Sequence, residues 1–182
     1  DVLNDGPITK YIKKFGSLIR SWKLDLCSFG FCLPNKGYAE LIKSIKVLLD
    51  RGLNVSLTIY SAIYSDQYKH CYMDLLELIS ELNLQKSVVI IPDYLSENDL
   101  AKSLSKHDCI VFAYQKSNES SSAAVRTALA YNNNILTTPI PIFDDVCQVV
   151  TYLPNVDVNS IADGIYNWYQ DNKYFVRFQD QS

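Results

Sequence analysis

Two short stretches of this sequence carry side chains suited to an anionic ligand rich in hydroxyl groups. In Ser117-Asn118-Glu119-Ser120-Ser121-Ser122, a carboxylate precedes three hydroxyls. Glu119 can accept hydrogen bonds from sugar hydroxyls, while exposed amides and hydroxyls of Ser120, Ser121 and Ser122 can bind a phosphate at a helix start. Three consecutive serines are poor helix formers, so a site or a packing need explains them better than propensity does. The plainer alternative is a carboxylate that caps the helix expected from Glu119 and complements its dipole.

The second stretch is Gly30-Phe31-Cys32-Leu33-Pro34-Asn35-Lys36-Gly37. A glycine at a strand end lets backbone approach a ligand, and Lys36 beside Gly37 puts a point charge near helix-terminal amides. The spacing is neither that of a dinucleotide fingerprint nor that of a P-loop. A tight strand-to-helix turn with an exposed lysine is the competing explanation.

Other candidates are weaker. Arg126 lies two helical turns beyond Glu119, within reach of a ribose or phosphate, or of a surface carboxylate. Asp144 and Asp145 follow the rigid Thr137-Thr138-Pro139-Ile140-Pro141 segment and suit capping of a short helix better than chemistry. Neither histidine fits a catalytic role: His70 belongs to a helix facing away, and His107 precedes a strand, at the opposite end of the sheet. No nucleophile elbow surrounds the serines, and no base is placed for a cysteine nucleophile.

The elements that must position these residues alternate between short apolar runs and amphipathic ones, the pattern of βαβ units and a parallel sheet. Strands are expected at 24–31, 55–60, 88–91, 108–114 and 135–138, with a sixth at 149–153. Helices are expected over 37–51, 67–82, from Ser96 onward, over 119–131 and over 160–170. Leu75, Leu76, Leu78, Ile79 and Leu82 would form the inner face of the second helix, and Ile161, Ile165, Trp168 and Tyr169 that of the last. All strand C-termini then share one edge, where ligands of such sheets bind.

Composition narrows the function. With 17 Lys and Arg against 20 Asp and Glu, the chain has no excess of cations for a nucleic-acid partner. Five scattered cysteines argue for reduced thiols and a cytoplasmic location; Cys27, Cys109 and Cys147 adjoin apolar runs and are expected to pack as small hydrophobes. Their spacing fits no metal site. No apolar run is long enough to span a membrane. The basic segment Lys10 to Arg20 suits an interdomain connection or surface segment, with peripheral contact to an anionic membrane as the alternative. Because the chain begins at Asp1, a processed product or an excised fragment is expected, with 1–23 as lead-in and 24–182 as one domain.

From Leu24 to Val150 the chain resembles the C-terminal, donor-binding domain of group 1 (family 4) glycosyltransferases, the retaining enzymes with two Rossmann-like domains (the GT-B type). The resemblance rests on three features in order. The first is the strand ending in Gly30, with Lys36-Gly37 opening a helix. The second is Asp108-Cys109-Ile110-Val111-Phe112 followed by Ser117 and Glu119. The third is the alanine-rich helix Ala123 to Ala130 with Ile135-Leu136-Thr137-Thr138 after it.

The resemblance implies a Rossmann-like parallel sheet of about six strands with helices on both faces. It implies that Glu119 contacts the transferred sugar, that Gly30, Lys36, Gly37 and Ser120 to Ser122 hold the diphosphate, and that Tyr94 and Leu95 flank the base. Arg126 and Thr127 would lie near the ribose. No metal or other cofactor would be needed, since helix termini and basic side chains stabilise the departing diphosphate. The partners implied are a nucleotide-diphosphate sugar, and a glycan or lipid-linked acceptor held by an upstream domain. This chain alone would then be inactive. Two positions depart from the family: Phe31 stands where a phosphate-binding arginine is usual, and Thr127 where a second glutamate is usual. They leave open a non-catalytic domain kept for assembly or regulation; a sugar-nucleotide epimerase-like enzyme is the other alternative.

Overall fold

A computed structural model describes residues 23–63, 65–132 and 134–176. Six parallel strands form one sheet: β1 (Leu24–Phe29), β2 (Val55–Tyr60), β3 (Val88–Ile91), β4 (Cys109–Phe112), β5 (Ile135–Thr137) and β6 (Thr151–Tyr152). Their order is β3-β2-β1-β4-β5-β6. The order reverses between β1 and β4, and that switch point opens a crevice at the strand C-termini. Apart from Lys23, the lead-in 1–23, with its basic segment Lys10 to Arg20, lies outside the described residues.

Side-chain alternation along the strands sends apolar residues to both faces, as a doubly covered parallel sheet requires. On one face Leu24, Leu26, Leu57, Ile59 and Val111 pack with α1 (Tyr38–Asp50), α2 (Lys69–Glu81) and α5 (Val158–Val176). On the other, Cys27, Phe29, Ile110 and Phe112 pack with α3 (Glu97–Leu104), α4 (Ala123–Leu129) and the 3-10 turn Pro141–Val146. Each fully buried leucine or isoleucine contributes roughly 2 kcal/mol. Among the described residues no helix is long and apolar enough to cross a membrane.

Several sequence expectations need correction. The helix expected from Glu119 begins at Ala123, because Ser122 is the cap: its Oγ accepts from the Val125 amide at 3.4 Å. Glu119, Ser120 and Ser121 therefore belong to the loop before the helix. A 3-10 turn, Pro34–Lys36, precedes α1, and another, Asp66–Tyr68, precedes α2. Leu76 is exposed, leaving Leu75 and Ile79 as the buried residues of α2. Cys147 is exposed rather than packed, whereas burial pushes the Cys27 and Cys109 thiols well above the usual range. Asp144 and Asp145 lie inside the 3-10 turn; its N-cap is Ile140, without a side-chain cap.

Gly37 joins the first crossover to β4. Its φ of 67° is left-handed, and a Cβ there would meet the Ala113 carbonyl oxygen at 1.7 Å. Gly37→Ala is expected to lower stability by about 2–4 kcal/mol, from the clash and the strained φ together. Urea unfolding of the two proteins measures it.

Candidate functional site

The C-terminal edge at the switch point holds a cavity of about 520 Å³, a size ordinary for a small-molecule site. Gly30, Phe31, Leu33 and Lys36 reach it from the loop after β1; Asp93, Tyr94 and Leu95 reach it from the loop after β3. The opposite wall comes from Glu119, Ser122 and, on α4, Ala123, Ala124 and Thr127. Of the residues singled out in the sequence, the cavity thus gathers Gly30, Lys36, Tyr94, Leu95, Glu119, Ser122 and Thr127.

Four of them lie off its wall. Gly37 is turned against Ala113 instead, where its lack of a side chain allows the close approach. Ser120 and Ser121 stand in the loop ahead of α4. Arg126 pairs through its guanidinium with the carboxylate of Asp145, the surface-carboxylate alternative, and its side chain is 60% exposed.

Lys36 is held in place from below. Its ammonium sits 4.0 Å from the centroid of the Tyr114 ring, a cation–π contact. Tyr114 is itself buried and packs edge-on against Phe112 and tilted against Phe143, so the ring cannot turn away. Its hydroxyl ends near Gly30 and has no hydrogen-bond partner among the described residues. Glu119 is exposed, and its amide donates to Ser117 Oγ at 3.1 Å. Among the described residues the cavity wall carries the Lys36 ammonium and the carboxylates of Asp93 and Glu119.

Tyr114 and Tyr60 were not singled out in the sequence, although both follow or end a strand at the ligand edge. Their one sequence signal is that position at strand C-termini, where ligands of such sheets bind. His107 is more connected than its position before β4 suggested. Its Nδ1 lies 3.0 Å from Asp25 Oδ2, and its Nε2 lies 2.9 Å from the Tyr60 hydroxyl. Asp25 Oδ1 also accepts from Ser56 Oγ at 2.8 Å.

Burial raises the Asp25 carboxyl, but hydrogen bonding and charge from His107, with help from Ser56, outweigh it and leave the group below its ordinary value. A depressed carboxyl stabilises the fold fully above the ordinary value of 3.8, and that stabilisation is lost as pH falls through the lower folded value. Asp25→Asn is therefore expected to flatten the loss of stability on the acid side below pH 3.8, measured by thermal unfolding across pH.

No family model and no curated protein matches the sequence. Solved structures do match the fold. One is the C-terminal domain of a glycosyl transferase group 1 family protein (LpcC) from Francisella tularensis, at 16% identity and TM-score 0.69, covering 85% of this chain and 78% of that one. A second is sucrose-phosphate synthase from Thermosynechococcus elongatus, at 14% identity and TM-score 0.71, covering 90% and 40%. A third is Anabaena HepE in complex with UDP, at 13% identity and TM-score 0.70, covering 91% and 43%. The chain spans less than half the length of the last two. It has the Rossmann-like α/β fold of a group 1 glycosyltransferase's C-terminal domain.

Proposed function

We propose that this chain is the donor-binding half of a glycosyltransferase, and that it holds a nucleotide-diphosphate sugar in the switch-point cavity. The observation that carries the reading is the meeting of Lys36 and Glu119 in one cavity at the sheet's ligand edge. Lys36 neutralises the diphosphate as it departs, and Gly30 lets that group come close to backbone. Glu119 orients the transferred sugar by accepting from its hydroxyls. Thr127 offers the ribose a hydroxyl where a carboxylate is usual. Tyr94 and Leu95 flank the base.

In this reading the acceptor, a glycan or a lipid-linked sugar, is presented by an upstream domain, and the sugar is transferred with retention of configuration. The anomeric carbon's bond to the diphosphate oxygen breaks, and its bond to the acceptor hydroxyl forms. The hydroxyl proton passes to the departing phosphate. A second reading, binding without transfer, is favoured by Phe31, whose half-exposed ring stands where a second cation is usual.

Titration calorimetry with UDP, GDP and ADP tests donor binding. At least one is expected to bind, and Lys36→Ala to weaken it by about tenfold, as loss of a charge-assisted contact does. Silence toward all three overturns the proposal. In a full-length protein carrying the upstream domain, Glu119→Ala separates the two readings, since unchanged transfer would leave only binding.

A further inference from the structure

β3 is the outer strand on its side of the sheet, and nothing among the described residues pairs with its free edge. Its run Val88-Val89-Ile90-Ile91 holds no charge and no proline to discourage another strand from joining it. Val88 and Ile90 are buried in the core that α2 helps to form, but Val89, on the opposite face, is 53% exposed. Sheets with an edge of this kind commonly cover it with a helix or a loop.

α2, the helix that leads into β3, continues the bare surface. Leu75 and Ile79 are its buried residues, while Met73 and Leu76, nearly one turn apart on one flank, are 56% and 37% exposed. Asp74, Glu77 and Glu81 stand exposed on the same helix and form no ion pair among the described residues. Against these carboxylates the helix has Lys69, its first residue, as its one lysine.

The residues ahead of β1 carry the complementary pattern. Tyr11, Ile12, Phe15, Leu18 and Ile19 fall on one stripe at helical spacing, and Lys10, Lys13, Lys14 and Arg20 fall off it. A helix this short is marginal by itself and gains its stability by burying such a stripe. The chain enters the described structure at Lys23, beside β1 and two strands from β3. Two strand spacings are about 10 Å, and Arg20 to Lys23 reach about 13 Å when extended. The exposed apolar side chains Val149 and Tyr152, by β6, lie one strand farther from β1.

We propose that residues 10–19 form an amphipathic helix that lies against α2 and the free edge of β3. Its apolar stripe covers Met73 and Leu76, and its lysines face Asp74, Glu77 and Glu81. The lead-in is then part of the folded domain and closes the sheet's open edge. This holds whether or not the cavity takes a nucleotide.

Hydrogen exchange read by mass spectrometry tests it on the whole chain, as wild type, Leu76→Glu and Met73→Glu. In wild type the amides of 11–19 are expected to exchange about tenfold more slowly than those of an unstructured chain. Each variant puts a carboxylate where the stripe would pack and is expected to restore the unstructured rate, with β1 and β2 unchanged. Should one variant fail to fold, the other decides. Unprotected amides in wild type overturn the proposal, as does protection that persists in the variants, which would place the segment elsewhere. Protection that disappears on dilution, with a doubled mass by light scattering, means that a second copy covers the face. Protection that appears only with phosphatidylserine vesicles means that a lipid surface takes the stripe. Either result overturns the proposal.

Discussion

Between the ends of β1 and β4 the chain brings Gly37 against the Ala113 carbonyl, closer than any residue with a side chain could come. The contact is reinforced on either side. The Gln115 amide donates to the Asn35 carbonyl at 3.0 Å, and the Gln115 side chain donates to the carbonyls of Ala113 and Val156. The first crossover, the end of β4 and the approach to α5 are thereby tied at one place. Lys36 owes its position over Tyr114 to that tie, because the residue before Gly37 has little freedom to be anywhere else. The cavity's cationic side is thus set by backbone packing, ahead of any ligand.

The two faces of the sheet divide the work. The face under α1, α2 and α5 is mainly aliphatic, filled by leucine, isoleucine and valine. The face under α3 and α4 is aromatic near the ligand edge, where Phe29, Phe112, Tyr114 and Phe143 meet edge-on or tilted. Rings packed this way are stiff and carry a directional quadrupole. One face therefore supplies cohesion, and the other a shaped floor beneath the crevice.

Much of this was legible because it depends on period and punctuation. β2 and β3 stand where their β-branched runs predict, and the crossover pattern implies a parallel sheet with one ligand edge. The start of α4 was not legible, since Ser117, Glu119, Ser120, Ser121 and Ser122 are all plausible helix-entry residues, and only hydrogen bonding shows that Ser122 is the cap. Arg126 offered a ligand and a carboxylate as equal partners, because Asp145 becomes its neighbour only when α4 packs beside the 3-10 turn. His107 was placed at the correct end of its strand. Its link to Tyr60, at the far end of another strand, depends on register and side-chain direction, which no local pattern encodes. Cys147 looked apolar from its neighbours and proved exposed because the 3-10 turn ends there.

The lysine resting on Tyr114 has a thermodynamic consequence. A long flexible side chain normally gives up its rotamer freedom when an anion arrives, and that loss weakens binding. Here much of the ordering has already occurred with folding, so its entropic cost falls on the stability of the chain and not on the ligand's affinity. An ammonium arranged in this way meets an anion with less rotamer freedom left to lose, because the contact with the Tyr114 ring has offset that cost during folding.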